Sequence, residues 1–143
     1  MTPVHILLVE DNEGDIVLTL EAFKDGKLKN SIQVVRDGEE ALQYLHQQGP
    51  YLNATLPDII LLDINLPRMD GKEVLLYIKS HDQFKLIPVV VLTTSSSEKD
   101  ISDVYASFAN CYITKPVDFE KFTKVIRSIE EFWISIVQLP VKK

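Results

Sequence analysis

Residues 59–71 read IILLDINLPRMDG. Four consecutive apolar residues of the kind that fill a buried strand run straight into Asp63, and the chain then turns through Leu66-Pro67 toward Asp70-Gly71. A lone carboxylate at the end of a buried strand loses hydration, so it requires a partner, a metal or water at the sheet edge. The rest of the chain decides among these.

Outward from this stretch, short aliphatic runs alternate with longer stretches of helical period, the pattern of a parallel sheet wrapped by helices. The pattern predicts strands at 4–9, 31–35, 58–62, 87–92 and 110–114, and helices near 14–25, 38–47, 72–81, 97–108 and 118–137. Ser95-Ser96-Ser97-Glu98 matches a capping box, and Gln48-Gly49-Pro50 stops the second helix. The third and fourth runs are almost continuously apolar, as interior parallel strands are when both faces are covered. The expected fold is α/β, a doubly wound five-stranded parallel sheet in the order 2-1-3-4-5. Such sheets bind ligands at the carboxyl ends of their strands.

Several polar residues fall on that edge. The first strand ends in Glu10-Asp11, the third in Asp63, the fourth in Thr93-Thr94 and the fifth in Lys115-Pro116. Three carboxylates within about 5 Å would repel one another by roughly 3 kcal/mol per pair at an effective dielectric near 20. A divalent cation removes that cost, and oxygen ligands on short loops without His or Cys favour a hard ion such as Mg²⁺. In phosphoryl chemistry the protein supplies position and positive charge, here Lys115 and the Thr93 hydroxyl, with Asp63 as candidate nucleophile. Each residue alone has an ordinary explanation: a solvated acidic loop, an exposed lysine, a β-forming threonine, a half-buried Tyr112. The joint arrangement carries the functional reading.

Composition bounds the alternatives. The chain has 143 residues, 45% hydrophobic and 25% charged, enough for one domain over 1–143 with a short tail at 138–143. No run approaches the roughly 20 apolar residues of a membrane span. The run Ile6 to Val9 is too short for a signal-peptide core. Cys111 is the only cysteine, which excludes an intrachain disulfide and fits a reducing cytoplasm. A net charge of −6 argues against a nucleic-acid surface. His5, His46 and His81 lie on different predicted elements without ligand spacing, so no zinc site is expected.

The stretches LLVEDN at 7–12, LLDINLPRMDG at 61–71, VVVLTT at 89–94 and CYITKP at 111–116 resemble the receiver domain of two-component response regulators, over nearly the whole chain. The resemblance implies a flavodoxin-like fold and a signalling protein that catalyses only its own phosphorylation and dephosphorylation. Asp63 would accept a phosphoryl group from a phosphohistidine on a sensor histidine kinase. Asp11 would bind Mg²⁺ directly and Glu10 through water, with the Asn65 backbone carbonyl completing the metal site. Thr93 and Tyr112 match the switch pair, and Lys115 matches the lysine that contacts the phosphoryl group, aimed by a cis Lys115-Pro116 bond. Slow self-dephosphorylation is implied as well. Thr94 departs from the smaller residue receivers more often carry, which bears on how water reaches the acyl phosphate.

A narrower resemblance rests on EEFWISIVQLP at 130–140 and points to stand-alone regulators partnered with bacterial phytochromes. Such regulators lack an output domain, so the signal is expected to leave through a surface of this domain. The last helix supplies a candidate. Phe122, Ile126, Ile129, Trp133 and Ile136 form one stripe, which Val125, Phe132, Val137 and Ile134 make too wide for one sheet to cover. A homodimer through this helix and the tail, using Phe132, Trp133 or Ile134, is expected.

Two other classes remain for comparison. A metal-dependent aspartyl phosphatase usually carries its nucleophile at the end of the first strand, with a second acid two residues on. Here Asp63 ends the third strand and Asn65 follows. A flavin or nucleotide carrier needs a phosphate cradle, and the loop after the first strand is acidic instead.

Overall fold

A computed structural model describes residues 3–24, 29–93 and 111–114, together with the helical positions Arg127 and Glu131. The elements in chain order are β1 (Val4–Val9), α1 (Glu13–Lys24), β2 (Asn30–Val35), α2 (Gly38–Leu45), a 3-10 turn at Gly49–Tyr51, β3 (Ile59–Asp63), α3 (Gly71–Ser80), β4 (Val89–Thr93) and β5 (Cys111–Thr114). The five strands form one sheet in the order β2-β1-β3-β4-β5, every pairing parallel. The doubly wound order expected from the sequence is borne out. The predicted helix 97–108, the capping box at 95–98 and, apart from Arg127 and Glu131, the last helix and its tail lie outside the described residues.

Period-two alternation sends neighbouring side chains to opposite faces. Leu7, Val9, Ile60, Leu62 and Val91 pack with Ala41 and Leu45 of α2 and with Val74, Leu75 and Ile78 of α3. Ile6, Leu8, Ile59, Leu61 and Leu92 pack with Ile16, Ala22 and Phe23 of α1. Central β3 is buried throughout, whereas edge strand β2 alternates between exposed and covered positions. Burial on both faces explains why IILL at 59–62 reads as a continuous apolar run.

Boundaries shift for local reasons. β4 begins at Val89 rather than 87, because the Ile87 N–H donates to the Phe84 carbonyl at 3.0 Å in the preceding turn and Pro88 has no N–H to offer a ladder. α2 ends at Leu45, two residues early, since Gln47 takes a left-handed φ of 54°. α3 starts at Gly71, where Asp70 accepts from the Lys72 N–H at 2.7 Å and Glu73 returns to the Asp70 N–H at 3.3 Å. The Asp-x-x-Glu spacing at 70–73 is the sequence signal of this capping box.

The histidines are less scattered than their spacing suggests. The folded ends of α2 and α3 bring the His46 and His81 rings to 5.3 Å, with His81 stacked on buried Phe84 at 4.3 Å and His46 Nε2 2.6 Å from the Tyr77 hydroxyl. These contacts make a packed aromatic cluster at the amino-terminal side of the sheet. Among the described residues, no helix is long and apolar enough to cross a membrane.

Candidate functional site

The parallel register fixes what meets at the carboxyl edge. Val9 pairs with Leu62, and Asp63 with Leu92, so Glu10 and Asp63 leave adjacent strands at nearly the same height. The Thr93 backbone pairs with Thr114 at that same end, one residue short of Lys115. Tyr112 pairs with Val91 one step deeper. Lys115 lies outside the described residues, as do Pro116 and Thr94.

Glu10 and Asp63 are buried, Asp11 is exposed, and one carboxylate oxygen from each lies within 4.8 Å of the others. Among the described residues this is the one group of three or more His, Cys, Asp or Glu able to hold a metal ion. Local hydrogen bonds aim the carboxylates. Asp63 Oδ1 accepts the Asn65 N–H at 3.0 Å, and Glu10 Oε2 accepts the Asn12 N–H at 3.2 Å. Asn12 in turn caps α1, its Oδ1 accepting from the Asp15 N–H at 2.9 Å. The loop after Asp63 is closed by the Gly71 N–H donating to the Ile64 carbonyl at 3.1 Å.

Three acids at this spacing repel by about 3 kcal/mol per pair at an effective dielectric near 20. Two of them are buried, so bulk water cannot relieve the cost as it does on a surface. An all-oxygen set, partly buried and open on the Asp11 side, suits a hard divalent cation that keeps some of its waters. The residues present therefore fit Mg²⁺.

The domain model of the response regulator receiver matches residues 6–127. The chain belongs to the response regulator receiver family. This receiver is 45% identical over 138 residues to the response regulator Rcp1 of Synechocystis, an alignment covering 96% of this chain and 94% of that protein. It is 42% identical over 134 residues to a probable methanogenesis regulatory protein, FilR2, of Methanothrix harundinacea, covering 92% and 84% of the two chains. Among solved structures, the phosphorylated cyanobacterial phytochrome response regulator RcpA superposes with a TM-score of 0.89 at 49% identity, covering 97% and 99%. The Mn(2+)-bound form of Rcp1 gives 0.88 at 45% identity, covering 97% and 100%. Membership of this family removes the phosphatase and carrier readings.

Sequence reasoning missed the supporting ring of this receiver. Asp37 caps α2 by accepting the Glu40 N–H at 2.8 Å, and its second oxygen accepts from Arg68 in the β3–α3 loop. The Asp-x-x-Glu spacing at 37–40 signals the cap; no sequence signal identifies Arg68 as its partner. A separate open cavity of about 620 Å³ lies between the lower halves of β1 and β2 and the 49–55 segment, and it shares no residue with the carboxylates.

Proposed function

We propose that this receiver is a phosphoaccepting switch in which Asp63 takes a phosphoryl group from a sensor histidine kinase, of phytochrome type, in a Mg²⁺-dependent reaction. The observation that carries the reading is the convergence of Glu10, Asp11 and Asp63 within 4.8 Å. A carboxylate oxygen of Asp63 attacks phosphorus, and a P–O bond forms as the P–N bond to the kinase histidine breaks. The leaving electron pair stays on the imidazole nitrogen, which takes up a proton. The cation supplies charge neutralisation for a group that brings more negative charge into an acidic pocket.

Asp11, Asp63 and the Asn65 carbonyl would hold the ion, with Glu10 acting through water; Glu10 and Asp11 follow β1, Asp63 ends β3 and Asn65 follows it. Lys115 and the Thr93 hydroxyl receive the phosphoryl oxygens, and Thr93 and Tyr112 form the switch pair. The likeness to a phosphorylated phytochrome response regulator and to an Mn(2+)-bound relative supports the assignment. The protein works in the cytoplasm, loses its phosphoryl group slowly, and pairs as a homodimer through the last helix and tail. Asp11→Asn, or excess chelator, abolishes labelling by acetyl phosphate; labelling that survives both removes the cation from the account. Sedimentation of wild type and Ile134→Glu tests the dimer, and a monomeric wild type at tens of micromolar, phosphorylated or not, refutes it.

A further inference from the structure

The β2–α2 connection contributes no carboxylate to the pocket, yet it reaches both loops that do. Arg36 Nη1 pairs with Glu13 Oε1 at 2.9 Å, in the first turn of α1 directly after the Glu10-Asp11-Asn12 segment. The next residue, Asp37, accepts through Oδ2 from Arg68 Nη1 at 2.5 Å, five residues beyond Asp63. Main chain reinforces the second contact: a β-carbon at Gly38 would stand 2.6 Å from the Met69 carbonyl oxygen. Arg68 is itself held at a left-handed φ of 62°. That conformation costs a residue other than glycine about 1 kcal/mol and persists where the surroundings over-determine it.

The two ion pairs are unequal. The Arg36 and Glu13 side chains are 53% and 70% exposed, so solvent and salt screen their pair. Arg68 is 65% exposed and so is partly screened as well, but the Asp37 side chain is only 11% exposed and its Oδ1 is already fixed as the α2 cap. A carboxylate anchored in this way loses little freedom when Arg68 joins it.

We infer that Asp37 and Arg68 are positioning residues for the carboxylate pocket. Their ion pair fixes the β3–α3 loop, and with it Asp63 and Asn65, at the separation from Glu10 and Asp11 that a divalent cation requires. This inference rests on the cation-dependent reading of the site.

The decisive property is the sign of each substitution. Asp37→Asn removes the charge and keeps an oxygen for the cap; Arg68→Gln removes the guanidinium and leaves the backbone requirement unchanged. If only the electric field acted, loss of the Arg68 charge would tighten Mg²⁺ binding and loss of the Asp37 charge would weaken it. Positioning makes both weaken it. Calorimetric Mg²⁺ titration is expected to give an affinity about fivefold to tenfold lower in each variant, with no further loss in the double variant. Arg68→Lys is expected to recover part of the loss. Shifts of opposite sign, or losses that add in the double variant, overturn the inference.

A second readout needs no cation. In the metal-free protein the Gly71 amide, bonded to the Ile64 carbonyl, is expected to exchange with solvent faster in both variants. Unchanged exchange overturns the positioning role by itself, whereas a wild type with no affinity for Mg²⁺ overturns the functional reading instead.

Discussion

Gly71 lies against the main chain of Asp63: a β-carbon at position 71 would stand 2.5 Å from the Asp63 carbonyl oxygen and 2.5 Å from Ile64 Cα. Both neighbours are backbone, so neither can rotate aside. Gly71→Ala therefore displaces the start of the loop that carries Asp63 and Asn65. The expected cost is about 1 to 3 kcal/mol of stability, together with about a tenfold slower labelling by acetyl phosphate at fixed Mg²⁺. Wild-type labelling kinetics in Gly71→Ala would show that the close approach has no bearing on the pocket.

Phe84 tests the opposite side of the sheet. Its ring is fully buried, stacks on His81 and meets the His46 ring edge-on at 5.1 Å. Truncation to alanine leaves a cavity between the ends of α2 and α3, and the expected loss is about 3 to 5 kcal/mol, read from urea unfolding. Loss under about 1 kcal/mol would mean that the cluster collapses to fill the space.

Tyr51 gives stability a pH dependence of defined sign. Burial first, then the hydrogen bond it donates to Glu40 and the charge of that carboxylate, push its phenol from 10.0 up to about 12. Between those values the unfolded chain has released the proton and the folded chain retains it. The unfolded state binds fewer protons, so stability falls as pH rises through this window and is intact below 10.0. Tyr51→Phe cannot ionise, and its unfolding midpoint is expected to fall less steeply over the same range. Parallel slopes for the two proteins contradict this origin.

The fold was legible because the sheet is buried on both sides. β3 and β4 are read as almost continuously apolar runs, and a run such as IILL has few alternatives to an interior parallel strand. The acidic edge was legible for the same reason, since Glu10 and Asp63 interrupt apolar runs at matching heights. What the sequence concealed depends on contacts between distant loops. Arg68 looks like any exposed arginine until the fold sets it against Asp37, 31 residues earlier. The His46–Tyr77–His81–Phe84 cluster joins the ends of two helices, and helical period alone says nothing of which ends meet. Turn geometry was hidden too, as the left-handed φ at Gln47 ends α2 at a residue type that gives no stop signal.

The switch pair makes a separate prediction. Thr93→Ala is expected to keep Asp63 able to accept a phosphoryl group, at a reduced rate, while losing the phosphorylation-dependent chemical-shift changes around Tyr112. The added phosphoryl group brings one to two negative charges, roughly, and the threonine hydroxyl is the proposed relay for that change. A full set of shift changes in the phosphorylated Thr93→Ala protein shows that the hydroxyl is not the trigger.

The central claim is that Asp63, served by a cation on Glu10 and Asp11, is the phosphoacceptor. Intact-mass measurement after incubation with acetyl phosphate tests it most directly, using wild type and Asp63→Asn, each with Mg²⁺ and with excess chelator. The account predicts a gain of one phosphoryl group in wild type with Mg²⁺, and none in the other three samples. Equal labelling of Asp63→Asn, or no labelling of wild type with Mg²⁺ present, contradicts it.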